Sequence, residues 1–404
     1  MRILQVNKFH YPRGGADKYY LELGRALEAN GHQVAYFSME HPKNISSQWS
    51  KYFVSRLSFN EANFLDKLKT PGRVIYSLEA KKKFTLIIKD FKPDIIHVHN
   101  IYHQLSPSIL DAARQAQIPV IMHVHDYKLV CPNYQLFAYG QICENCKPNK
   151  YWYCFKKRCF KNSWTKSALA ALEMHLHHNI WQIYRKNIKL FIAPSQFMKN
   201  KLIEFSWPED KIKVVVNPFS ADLINQENPI KTISDYLLYF GRLSPEKGLN
   251  TLIAAAKLTG HKVKIVGTGP EENNLRQQVK EQSAPVEFLG FKEGGELRDV
   301  IIKARAVVVP SIWYENMPLS MLEALSLGKV VIASKIGGLP EIIKEGKNGW
   351  LFNAGDAQDL ARIFSLLEKA NLSQMSLDAK ISVQNFSPQN NLQAIENIYQ
   401  SLLK

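Results

Sequence analysis

The chain has 404 residues, with 52 Lys+Arg against 36 Asp+Glu, a formal net charge of +16, and 46% apolar and 22% charged side chains. This balance belongs to folded globular protein and excludes wholesale disorder or collagen-like structure. No run reaches the roughly 18–20 apolar residues that span a bilayer. The charge is uneven: residues 1–190 hold 28 basic and 13 acidic side chains, residues 191–404 hold 24 and 23. Together with a length prior of about 100–200 residues per domain, this split predicts two domains.

The N-terminal MRILQVNKFHYPRGG reads as a buried strand running into a glycine loop. It lacks the apolar core and cleavage site of a signal peptide, so a cytoplasmic location is expected. Strands are predicted at 3–6, 34–38, 95–99, 120–124, 190–193 and 211–216. A helix at 16–30 carries Tyr19, Tyr20, Leu23 and Leu27 at helical spacing and is stopped by Gly31. Residues 131–163, rich in Tyr, Trp, Lys and Cys and without a clean period, read as an insertion. Beyond a polar stretch at 222–234 the alternation restarts, with strands at 236–240, 262–266, 286–289, 306–310 and 329–333. Such alternation predicts an α/β molecule of two Rossmann-like, doubly wound parallel-sheet domains facing a cleft, residues 1–222 and 223–386. An amphipathic helix at 387–404 completes it, able to pack on either domain, including back on the first.

Ligands of open α/β sheets bind beyond the carboxyl ends of the strands. After the first strand, Gly14 and Gly15 would let the backbone approach a ligand at a helix N-terminus, although a plain turn fits equally well. The loop is not GxGxxG, which disfavours a dinucleotide-dependent dehydrogenase. In the second half, Arg242 and Lys247 flank a turn at a strand end, a fork and a point charge suited to a diphosphate. The Gly267 turn and the turn ending at Phe291 follow the next strands. In SIWYENMPLSMLE, Glu315 and Glu323 lie eight apart, with Asn316, Met317 and Pro318 placing Glu315 on a loop before a helix. Pro318 is expected at the first helical position, where the free N–H groups of Leu319 and its neighbours face an anion. On spacing alone, a helix with two exposed glutamates is the plainer reading.

Taken together, E-x7-E from Glu315, GRLSPEKG at 241–248, the GTGP turn at 267–270 and the Gly14–Gly15 loop resemble the retaining glycosyltransferases of family 4, which have the GT-B fold. The resemblance runs over nearly the whole chain in the family's order. It implies that Arg242 and Lys247 bind the diphosphate of a UDP- or GDP-linked sugar, helped by Asn316 and the backbone of Met317, Pro318 and Leu319. It further implies that Glu323 holds the ribose, that Glu315 faces the donor sugar, and that His125, in HVHD at 123–126, lines the sugar side of the cleft. On their own, His97, His99 and His123 read as satisfied core residues. No Asp-x-Asp occurs, so no catalytic metal is expected and activity should survive chelation; the two cations would stabilise the leaving phosphate.

All five cysteines, Cys131, Cys143, Cys146, Cys154 and Cys159, fall in the insertion. Cys143-x2-Cys146 followed by Cys154 and Cys159 is near zinc-ligand spacing. Reduced buried thiols are the default for a cytosolic chain, and structural zinc is the alternative. The insertion also interleaves Lys147, Lys150, Lys156, Lys157, Arg158, Lys161 and Lys166 with Tyr151, Trp152, Tyr153, Phe155 and Trp164. That composition suits peripheral contact with the anionic inner face of a membrane; a solvated basic surface comes second and RNA a distant third. The expected function is transfer of a sugar from a nucleotide sugar to a glycan or lipid-linked acceptor in cell-surface polysaccharide assembly. A sugar-nucleotide epimerase of the same fold and a basic nucleic-acid-binding protein are the alternatives.

Overall fold

The computed structural model describes residues 1–57, 64–219 and 234–403. Its first sheet holds β1 (Arg2–Val6), β2 (Gln33–Phe37), β3 (Ile95–Val98) and β4 (Val120–His123). A two-residue-per-strand hairpin, β5 (Phe137–Ala138) and β6 (Gln141–Ile142), intervenes before β7 (Leu190–Ala193) and β8 (Ile212–Val214) rejoin that sheet. The second sheet holds β9 (Leu237–Phe240), β10 (Val263–Val266), β11 (Val286–Gly290), β12 (Ala306–Val309), β13 (Val331–Ser334) and β14 (Gly349–Phe352). The orders are β2-β1-β3-β4-β7-β8 and β11-β10-β9-β12-β13-β14, each parallel throughout.

Most of the central strands are continuous apolar runs. Strands β3, β4, β7, β9, β12 and β13 are buried at every residue, as parallel strands covered on both faces must be. The strand order reverses at β1 in the first sheet and at β9 in the second. A ligand crevice is therefore expected at the loops that follow these two strands, the Gly14–Gly15 loop and the Arg242–Lys247 turn.

The terminal helix Pro388–Leu403 packs on the first sheet. Ile395, Ile398 and Tyr399 join Ile3, Ile95, Ile121 and Ile192 of the strands, and Tyr19, Leu23 and Leu27 of the helix Gly15–Ala29, in one buried cluster. Polar ties fix its register. Tyr19 Oη donates to Asn391 Oδ1 at 3.2 Å, Asn391 Nδ2 donates to the Val216 carbonyl at 2.8 Å, and His32 Nε2 lies 2.7 Å from Glu396 Oε1.

Two details differ from the sequence expectations. Strand β14 was not anticipated. The strand expected at 211–216 is shorter, because a turn at Glu209–Lys211 precedes β8. The predicted domain boundary at 222–223 lies outside the described residues. Among the described residues, no helix is long and apolar enough to cross a membrane.

Candidate active site

Glu315 is held from three directions. Lys247 Nζ lies 2.6 Å from its Oε1, and Ser311 Oγ donates to the same oxygen at 2.6 Å. The turn that aims Lys247 depends on Gly248, at φ +67, where a Cβ would sit 2.0 Å from the Pro310 carbonyl oxygen. From the far side, Gly337, at φ +62, and Gly338 bring their backbone against the Glu315–Asn316 peptide, and Gly338 N–H donates to the Glu315 carbonyl at 2.7 Å. Glu315 is 5% exposed. Burial pushes its carboxyl up, but Lys247 and the bond from Ser311 outweigh that and hold it below the usual carboxylate range.

The helix after this loop is Leu319–Ser326, and Pro318 caps it with φ −69 and ψ 126 instead of occupying the expected first helical position. Pro318 thereby accepts from Met321 N–H at 3.1 Å with its carbonyl, while the N–H groups of Leu319 and Ser320 have no partner within the helix. This end faces the first domain: a Cβ on Gly15 would meet Leu319 Cδ1 at 3.4 Å. Two helix N-termini, one per domain, thus converge on one spot, which is favourable for an anion. Met317 is buried in the core beneath the loop.

Glu323 lies on the buried face of the same helix, 8% exposed, with Lys18 Nζ of the first domain 4.0 Å from its Oε1. Burial, reinforced by Glu22 and only partly offset by Lys18, lifts its carboxyl to about 7.

His125 follows β4. Its carbonyl accepts from Asn316 Nδ2 at 3.0 Å across the cleft, and its Nε2 lies 2.9 Å from His99 Nδ1. His97, His99, His123 and His125 form one stack of near-parallel rings, with His123 and His125 at 4.5 Å and 11°. The stack is anchored by Gln5 at 2.8 Å from His99, by Tyr399 Oη at 2.8 Å from His97, and by Asn217 at 3.1 Å from His123. Burial, with repulsion among the rings, holds His97, His99 and His125 well below the usual imidazole range, and burial alone takes His123 to about 3.

The first-domain wall adds residues that the sequence reading passed over. Lys8 Nζ sits 3.7 Å above the Tyr102 ring, and burial brings it down to about 8 despite Asp126 and Asp17. Asp17 accepts from Asn7 Nδ2 at 2.8 Å, and Tyr127 Oη donates to the Tyr314 carbonyl at 3.0 Å, next to Glu315. A lysine and a tyrosine on separate loops and an aspartate in the first turn of the helix Gly15–Ala29 carry no local pattern; the Gly337–Gly338 pair did carry one, because a Gly-Gly step follows β13 as Gly14–Gly15 follows β1.

Lys247, Glu315, Asn316, His125, Glu323 and Gly15 are brought together. Gly267, at φ +131, stacks its backbone on Gly241, leaving no room for a side chain. Arg242 is exposed and Phe291 is 67% exposed.

Two facing Rossmann-like sheets with this crevice define a GT-B glycosyltransferase. Residues 13–223 match the family model described as Glycosyltransferase Family 4, and residues 220–382 match Glycosyl transferases group 1. The chain belongs to Glycosyltransferase Family 4. It is 25% identical over 377 residues to an uncharacterised 42.6 kDa protein in the cps region of Klebsiella pneumoniae, covering 90% of this chain and 92% of that one. To the putative colanic acid biosynthesis glycosyltransferase WcaL of Escherichia coli it is 25% identical over 238 residues, 55% of this chain and 58% of the other. Anabaena HepE, solved in complex with UDP and glucose, superposes with a TM-score of 0.68 at 20% identity, covering 99% of this chain and all of that one.

Proposed function

We propose that this glycosyltransferase moves a sugar from a nucleoside-diphosphate sugar to a glycan or lipid-linked acceptor with retention at the anomeric carbon, in cell-surface polysaccharide assembly. The observation that carries the reading is the Lys247–Glu315 pair, 2.6 Å apart beside the open N-terminus of the helix Leu319–Ser326. The diphosphate docks on that helix end with Lys247 and Arg242 beside it. Negative charge growing on the departing phosphate meets fixed cations and N–H dipoles, which serve in place of a metal. Glu323 accepts from the ribose hydroxyls. Glu315 and the neutral His125 face the sugar, and the acceptor hydroxyl attacks from the same face that the phosphate leaves.

The polysaccharide setting draws support from the relatives named for capsule-region and colanic acid roles. Peripheral binding to an anionic membrane draws support from exposed Trp152, Phe155 and Trp164 among the lysines of the insertion. A same-fold epimerase would convert the donor with no acceptor present. The test is a thermal-shift screen of UDP- and GDP-sugars, followed by product analysis with and without acceptor. The expected result is stabilisation by one nucleotide class and a glycoside formed only with acceptor. An epimerised donor formed without acceptor would defeat the proposal.

A further inference from the structure

The insertion has little of its own to hold it together. Its regular structure amounts to β5, β6 and a five-residue helix, Trp152–Lys156. Residues as diverse as Tyr134, Leu136, Tyr139, Asn149, Arg158, Lys161 and Asn162 have φ between 43° and 57°, a conformation non-glycine residues adopt only when their surroundings enforce it. Its separate apolar cluster has just five buried members, and two of them are Cys146 and Cys154. A segment with so small a core needs a covalent or metal staple.

All five cysteines line one narrow cavity with about 10 Å³ of free volume, room for a single water-sized sphere or an ion. Cys131 differs from the rest. It belongs to the main core of the first domain and its thiol already donates to Asn133 Oδ1 at 2.8 Å. Of the other four, Cys154 and Cys159 touch through their sulfurs at 2.7 Å, and Cys143 and Cys146 are two residues apart in the chain.

We infer that Cys143, Cys146, Cys154 and Cys159 bind one Zn²⁺ as four thiolates, closing the insertion into a structural knuckle, with Cys131 outside the shell. Among the described residues no group of three or more His, Cys, Asp or Glu stands where it could hold a metal ion as it is, so the thiols must move to bind one. Tetrahedral Zn–S bonds of about 2.3 Å put sulfurs about 3.8 Å apart, so Cys154 and Cys159 must part by about 1 Å. As each Zn–S bond forms, the thiol proton leaves to solvent.

The knuckle is wired to the active site. Glu144, between two ligands, accepts from Lys201 Nζ at 2.8 Å; Lys147 Nζ lies 3.1 Å from Glu204 Oε2; and Lys201 Nζ lies 5.0 Å from the centre of the Tyr314 ring, beside Glu315. Zinc would therefore hold the first-domain wall in register with the Glu315 loop.

The test is metal analysis of the full-length protein purified without chelator from zinc-supplemented cells, with mass spectrometry after denaturation in EDTA and alkylation. We expect about one zinc per chain and five alkylated cysteines. Cys131→Ser should keep the zinc, and Cys143→Ser with Cys146→Ser should lose it. As a control on folding, that double variant should keep the wild-type far-ultraviolet circular dichroism, a readout independent of both metal and nucleotide. Zinc-free wild-type protein, a Cys154–Cys159 disulfide in place of the metal, or loss of zinc on Cys131→Ser alone would overturn the assignment. None of these outcomes depends on glycosyl transfer, so failure here leaves the proposed function standing.

Discussion

Lys247 reaches Glu315 at 2.6 Å although the two are 68 residues apart, and Ser311 holds the same carboxylate oxygen. The contact makes Lys247 part of the site's architecture before any diphosphate arrives. Lys247→Ala then removes a phosphate cation and strands a buried carboxylate at once, whereas Glu315→Gln keeps the shape and removes only the charge. We expect each single variant to lower kcat/KM for transfer by about 100- to 1,000-fold. The double variant should lose much less than the product of the two, because the pair acts as a unit. Steady-state kinetics on the four proteins of the cycle measures this directly.

Asn316 Nδ2 donates to the His125 carbonyl and so ties the two domains across the cleft. Asn316→Ala should lower kcat about 3- to 10-fold, the worth of one hydrogen bond, with little change in nucleotide affinity. Comparing nucleotide Kd by calorimetry with kcat separates the two effects.

Glu323, with Lys18 and Glu22 around it, has its carboxyl lifted from 4.5 to about 7. The folded protein therefore binds this proton more tightly than the unfolded chain, and the stabilisation is complete below 4.5 and lost as pH rises through about 7. Ribose hydroxyls donate best to the ionised form. Nucleotide affinity should accordingly weaken as pH falls from about 8 to about 6, and Glu323→Gln should flatten that profile while weakening binding overall. Binding isotherms across this range supply the check.

The terminal helix covers the apolar face of the first sheet through Ile395, which is fully buried. Ile395→Ala should cost about 2–5 kcal/mol of unfolding free energy. Chemical denaturation, read on the first domain's tryptophans, tests it.

Much of this was legible because both sheets are built from continuous β-branched and apolar runs separated by helical periods. Such patterns are local, so β3, β4, β7, β12 and β13 stood out. Strand β14 did not, since GWLF begins with glycine, has no β-branched residue and follows directly on the polar turn EGKN. The side of the molecule covered by the terminal helix was equally hidden: its apolar stripe says that it packs, while its partners Ile3 and Tyr19 lie more than 370 positions away. At the site, the charged residues of the second domain could be picked out from their place at strand ends. The stack of His97, His99, His123 and His125 could not, because the first three each read as ordinary core positions and nothing local joins them to His125. Its meaning appears only when β3 and β4 lie side by side.

The most direct test is sugar transfer from the donor identified by the nucleotide screen, compared among the wild-type protein, Lys247→Ala and Glu323→Ala under identical conditions. The account predicts that Lys247→Ala is reduced by at least about 100-fold, and that Glu323→Ala chiefly raises the donor KM. Wild-type transfer rates in both variants would contradict the assignment of the crevice around Glu315 as the donor site.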